Sequence, residues 1–98
     1  MSKIEEELEF ELALFEPTEY KVLLHNDDYS TMDFVVDVLI NVFRKNINQA
    51  EEIMIAIHKS GRAVCGIYTF EIAETKVYQV KELAKSNGFP LLATMEEV

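Results

Sequence analysis

The chain has 98 residues, is 49% hydrophobic, carries a formal net charge of −9 and contains one cysteine, Cys65. That describes one small domain with enough apolar residues for a core. It excludes an internal disulfide and a cysteine-based zinc site, and it argues against a phosphate-backbone partner, which needs clustered Lys and Arg. No apolar run reaches the roughly 18 residues of a membrane helix, and no basic start precedes an apolar stretch as in a signal peptide. A reducing, cytoplasmic setting fits.

The charge is uneven. Residues 1–19 hold seven Glu and one Lys and account for −6 of the total, whereas the other 79 residues contribute −3. This stretch reads as a separate, flexible acidic extension. Its composition suits a solvated tail; Leu8, Leu12 and Phe15 stand at helical spacing, so a short amphipathic helix on a partner is the alternative. Pro17 is a natural boundary.

Residues 20–25 read as a strand, with Tyr20, Val22 and Leu24 on one face, running into the turn-forming Asn26, Asp27 and Asp28. A first helix is predicted over 32–45, capped by Ser30 or Thr31, with Asp33 near its positive end. Its polar residues Asp33, Asp37, Asn41 and Arg44 make one narrow stripe, so most of its circumference should be buried. A second helix is predicted over 49–59, opened by a capping box of Asn48 and Glu51 and stopped by Gly61. Residues 62–69 form the second strand. A third helix over 71–86 has Glu71 and Glu74 at its start and Lys81 and Lys85 at its end, buries Ala73, Val77, Val80 and Ala84, and stops at Asn87-Gly88. Residues 91–97 read as the last strand. The order β-α-α-β-α-β implies a two-layer α+β domain, with a three-stranded sheet and helices on one face.

Three groups of residues could carry chemistry. Asn26, Asp27, Asp28 and Ser30 place two carboxylates, an amide and a hydroxyl within five residues; they form either a capped turn or a corner that binds a cation. His58 stands at the edge of an apolar helix face, where a histidine is structural or functional. Met32, Val35, Met54 and Ile57 have helical spacing that suits core, although methionines also line adaptable pockets. No HxxxH or HExxH spacing is present, so no metal site and no cofactor are expected.

The blocks YKVLLHNDDYSTMDFV at 20–35, MIAIH at 54–58, GRAVCG at 61–66, EIAETKV at 71–77 and PLLAT at 90–94 together resemble ClpS, the bacterial adaptor family of the Clp protease, over residues 20–98. The resemblance implies a fold like the C-terminal domain of the ribosomal stalk protein. It implies a cytoplasmic, monomeric adaptor, not an enzyme, that binds proteins whose first residue is Leu, Phe, Tyr or Trp. Such N-degron proteins are passed to the N-domain of the ClpA unfoldase for degradation by ClpP. By position, Asn26, Asp27 and His58 would hold the substrate's α-amino group. Ser30, Met32, Val35, Met54, Ile57 and Leu91 would line the pocket for its first side chain, with Met32 as a gatekeeper against β-branched residues. Glu71, Glu74 and Lys76 would dock on the unfoldase, and residues 1–19 would act as a delivery tail. Thr31 stands where many members have Pro, which could loosen the turn.

The residue types suit that task. An α-amino group, with a pKa of about 8, is largely a cation with three N–H donors at neutral pH. A carboxylate, an amide oxygen and a neutral imidazole are acceptors for it. An internal peptide amide would leave two of them unpaired. An imidazole that accepts must be neutral, so acid is expected to weaken binding. Two other classes compete: a hydrolase or metal enzyme using Asp27, Asp28 and His58, which lacks an obvious nucleophile and base pair, and a stalk-like interaction module with no pocket.

Overall fold

A computed structural model describes residues 3–5 and 18–98. The amphipathic pattern of Leu8, Leu12 and Phe15 and the boundary at Pro17 lie outside the described residues. The elements run β1 (Glu19–His25), α1 (Met32–Asn41), α2 (Ile47–Ser60), β2 (Arg62–Thr69), α3 (Phe70–Asn87) and β3 (Leu92–Glu97). This is the predicted order.

The sheet is antiparallel, with strand order β2-β1-β3. Val22 and Leu24 of β1, Cys65 of β2 and Ala93 of β3 turn to the helical side. There they join Val38 and Leu39 of α1, Ala50 and Ile57 of α2, and Ala73, Val80 and Ala84 of α3 in one core. Each fully buried Val or Leu contributes about 1.5–3 kcal/mol. The register slips between Val22, opposite Gly66, and Leu23, opposite Val64. Cys65 is therefore the extra residue of a bulge, which turns its side chain into the core. The other sheet face carries polar cross-strand contacts. His25 Nε2 is hydrogen-bonded to Thr94 Oγ1 at 2.7 Å, and Glu96 takes Arg62 at 3.1 Å and Lys21 at 3.8 Å.

Two helix boundaries differ from the sequence reading. Helix α1 stops at Asn41, short of residue 45, because Arg44 adopts the left-handed region (φ 57°) and the Lys45 N–H turns back to Leu39 O at 3.1 Å. The Lys76 ammonium then caps the freed Val42 carbonyl at 2.7 Å, a favourable place for a cation. Helix α2 begins two residues earlier than predicted. The capping box is Asn46 with Gln49, not Asn48 with Glu51: Asn46 Oδ1 accepts from Gln49 N at 2.8 Å, and Gln49 Oε1 accepts from Asn46 N at 3.1 Å. Both asparagines head an N-x-x-E/Q pattern, and the earlier one brings Ile47 into the first turn. Glu51 is thereby released from any capping role. The C-terminal stops fall at Gly61 (φ 87°) and Gly88 (φ 74°), as the sequence suggested.

Candidate functional site

The turn after β1 and the end of α2 are brought together by one backbone bond, from Asn26 N–H to Gly61 O at 2.8 Å. Gly61 follows α2, so this bond sets His58, three residues back, beside the Asn26-Asp27-Asp28 turn. On α2, Met54, Ile57 and His58 stand at i, i+3 and i+4 and share a face. On the opposite side Thr31 caps α1: its Oγ1 accepts from Phe34 N at 3.1 Å. The cap aligns Met32 and Val35, one turn apart, toward the same space. Because Thr31 is the cap, the Ser30 hydroxyl is not used in that way. Thr31 also holds the turn where a proline would stiffen it.

These pieces enclose a cavity of about 270 Å3 lined by Asn26, Asp27, Asp28, Ser30, Met32, Val35, Met54, Ile57 and His58. An engineered apolar cavity of roughly 150 Å3 already accepts benzene, so an aromatic side chain has room here. Polar groups from one turn and a histidine meet four apolar side chains from two helices. Met32 is 55% exposed at the rim, while Ile57 is 2% exposed and Val35 7%. Leu91, expected in the lining, is not among these nine residues; at 5% exposure it lies in the same core cluster as Val35 and Ile57. Its neighbour Leu92 pairs with His25 on the outer face, so the strand's alternation sends Leu91 inward.

Asp27 has divided its carboxylate. Oδ1 accepts from Tyr29 N at 2.8 Å and from Ser30 N at 2.6 Å, which builds the turn. Oδ2 is buried without a hydrogen-bond partner, and so is Ser30 Oγ. Burial raises the Asp27 pKa, but the Ser30 amide, the nearby Ser30 hydroxyl and the Tyr29 amide outweigh it, and the carboxyl titrates below its ordinary value of 3.8. The Ser30 hydroxyl is near enough to favour the anion without reaching hydrogen-bond geometry. An ionised oxygen with no partner, on a residue that lines the cavity, is an acceptor for a cationic donor that displaces its cover. A buried orphan of this kind costs about 1–3 kcal/mol until it is satisfied. The sequence shows the carboxylate but not which oxygen is free.

Other candidates fall elsewhere. Glu71 and Glu74 are exposed on the first turns of α3. Lys76, grouped with them from the sequence, bonds Val42 O and lies 5.7 Å from the centroid of the Tyr68 ring. Burial pushes the Cys65 thiol up to about 12, so it stays protonated near neutral pH and is a poor nucleophile. Among the described residues no three His, Cys, Asp or Glu side chains converge to hold a metal ion, and no helix is long and apolar enough to cross a membrane.

The chain matches the family described as "ATP-dependent Clp protease adaptor protein ClpS" over residues 15–94. It is 53% identical over 96 residues to the ATP-dependent Clp protease adapter protein ClpS of Wolinella succinogenes, covering 98% of this chain and 94% of that protein. It is 57% identical over 88 residues to the ClpS adapter of Oleidesulfovibrio alaskensis, covering 90% and 85%. Among solved structures it resembles Agrobacterium tumefaciens ClpS2 bound to L-phenylalaninamide, with a TM-score of 0.82, 41% identity, and coverage of 85% of this chain and 100% of the other.

Proposed function

Because this chain belongs to the ClpS family of ATP-dependent Clp protease adaptor proteins, we propose that it captures proteins by a free α-amino group and a bulky apolar first residue, Leu, Phe, Tyr or Trp. It then passes them to a ClpA-type unfoldase and performs no chemistry of its own. The observation that carries this reading is the partnerless Oδ2 of Asp27, a residue that lines a cavity with polar groups at one side and four apolar side chains at the other. Phenylalaninamide, the ligand in the related solved structure, has the matching chemistry. It offers a cationic amine, an aromatic side chain, and an amide where the next peptide bond would begin.

In this reading Asp27 Oδ2, the Asn26 side-chain oxygen and the His58 imidazole each accept one N–H of the ammonium. The first side chain enters between Val35 and Ile57, past Met32 and Met54, with Ser30 at the wall. Met32 rejects β-branched first residues at the mouth. Leu91 supports this wall from the core. Burying a Leu or Phe contributes roughly 1.5–3 kcal/mol, and hydrogen bonds to a charged group about 1.5–3 kcal/mol each. Against these stand the costs of immobilising the ligand. The balance suits affinity in the micromolar range or tighter, from which cargo can be released. Residues 20–98 form the adaptor domain, acting as a monomer in the cytoplasm. The Glu71, Glu74 and Lys76 region docks on the unfoldase N-domain, and residues 1–19 serve as a delivery extension.

Fluorescence anisotropy tests the reading directly. A labelled peptide beginning with Phe is expected to bind, and the same peptide with an acetylated amine is not. Equal binding of the two forms, or none by either, would refute it.

A further inference from the structure

The chain has four methionines. Met1 lies outside the described residues, and Met54 and Met95 are partly buried against the core. Met32 differs from them. It is the first residue of α1 and is 55% exposed, yet it also lines the candidate pocket. Solvent therefore reaches a thioether at the point where a ligand's side chain must pass. The other side chains on the apolar side of the pocket, Val35, Met54 and Ile57, offer no hydrogen-bond donor. The chain's one thiol does not compete for the same reagents: Cys65 is 1% exposed, and burial keeps it protonated near neutral pH.

We propose that Met32 is a redox modification site: hydrogen peroxide converts it to methionine sulfoxide, and the oxidised adaptor captures cargo weakly until the sulfoxide is reduced. The inference rests on the reading of this cavity as the first-residue pocket. In the step, a lone pair of the sulfur attacks one peroxide oxygen, and the S–O bond forms as the O–O bond breaks. The proton on the transferred oxygen passes to the departing hydroxide, which leaves as water. Sulfur gives up two electrons and the peroxide takes them. A thioether needs no deprotonation beforehand, whereas a thiol does. The product replaces a flexible apolar gate with a polar one. In the empty protein its oxygen is hydrated. A Leu or Phe side chain that passes it strips that water and supplies no donor in return. The favourable contact of the sulfur with an aromatic ring is lost as well. A bound side chain in turn covers the sulfur, so cargo slows the oxidation.

The test treats the full chain with dilute hydrogen peroxide, maps the oxidised residues by peptide mass spectrometry, and titrates L-phenylalaninamide by calorimetry before and after. Met32 is expected to gain oxygen ahead of Met54 and Met95, and more slowly when phenylalaninamide is saturating. The oxidised form is expected to bind about fivefold to thirtyfold more weakly, the equivalent of dehydrating one polar group, with its urea midpoint unchanged. Methionine sulfoxide reductases for both epimers, supplied with a dithiol reductant, are expected to restore the affinity. The variant M32L, compared with its own untreated form, is expected to lose the sensitivity to peroxide. If Met54 or Met95 reacts first, or oxidised Met32 leaves the affinity unchanged or raises it, the inference is overturned while the pocket reading stands. A lowered urea midpoint, or an M32L that stays sensitive, overturns it in the same way. If the untreated protein does not bind phenylalaninamide, the pocket reading fails and the inference fails with it.

Discussion

Asp27→Asn separates the two uses of one carboxylate. In the native turn Oδ1 accepts from the amides of Tyr29 and Ser30, and Oδ2 has no protein partner. Asparagine can keep its oxygen on those amides, so the turn survives. Its amide nitrogen then replaces Oδ2 and presents donors to the ligand's ammonium, which also needs acceptors. The loss is one charge-assisted hydrogen bond, about 1.5–3 kcal/mol, or roughly a 10-fold to 150-fold weaker Kd. Asp27→Ala removes the turn bonds as well, and is expected to cost about a further 1 kcal/mol of fold stability, as for other local side-chain caps. Anisotropy titration of a Phe-first peptide, beside urea unfolding of both variants, reads the two effects apart. Near-native stability with strongly reduced binding is the expected result for Asp27→Asn. If that variant binds within twofold of wild type while the acetylated peptide still fails, the ammonium is held by other groups and the assignment to Oδ2 is wrong.

Binding should also depend on pH in a particular direction. The ligand's amine loses its charge above about pH 8, so affinity is expected to fall on the alkaline side. Asp27, whose pKa lies below 3.8 in the fold, stays ionised throughout the neutral range. A depressed folded pKa stabilises the fold above the unfolded value, and that contribution is lost as pH falls through the folded value. The gap in melting temperature between wild type and Asp27→Ala should therefore narrow only in acid below about pH 3.8, and narrowing already at pH 6 would contradict this. The corrected cap makes another prediction: Asn46→Ala should cost about 0.5–2 kcal/mol in urea unfolding and Asn48→Ala much less, and the reverse order would restore the later start of α2. Finally, a methyl added at Gly66 would press into the Tyr68 ring, whose face also receives Lys76. Gly66→Ala is expected to destabilise by about 1–3 kcal/mol, and an unchanged denaturation midpoint would show that the ring moves aside freely.

What could be read from the sequence followed the periodic signals. Alternation in residues 20–25, the Val, Ile and Tyr content of 62–69 and the apolar spacing of α1, α2 and α3 located the elements from Glu19 to Asn87. The glycines at 61 and 88 marked two ends because only glycine takes those backbone angles easily. The end of α1 carried no such mark, since Arg44 enters the left-handed region without being glycine. The start of α2 was ambiguous because two asparagines head the same local pattern, and hydrogen-bond geometry rather than composition separates them. The residues around the cavity were named from the sequence because they fall in recognisable blocks. Leu91 precedes β3, so the side it takes depends on where that strand enters register with His25, which the sequence does not show. The free oxygen of Asp27 could not be read from sequence at all, because it depends on the direction of one carboxylate.

The bond from Asn26 to Gly61 has a consequence for energetics. It closes the site across about a third of the chain, so neither half of the pocket exists in the unfolded chain. A ligand held between the turn and α2 therefore acts as a removable clasp on the fold. At a hundred times its Kd it would add about 2.7 kcal/mol to the stability of the domain. An occupied adaptor is thus a tougher object to unravel than an empty one, and the difference disappears when the cargo leaves.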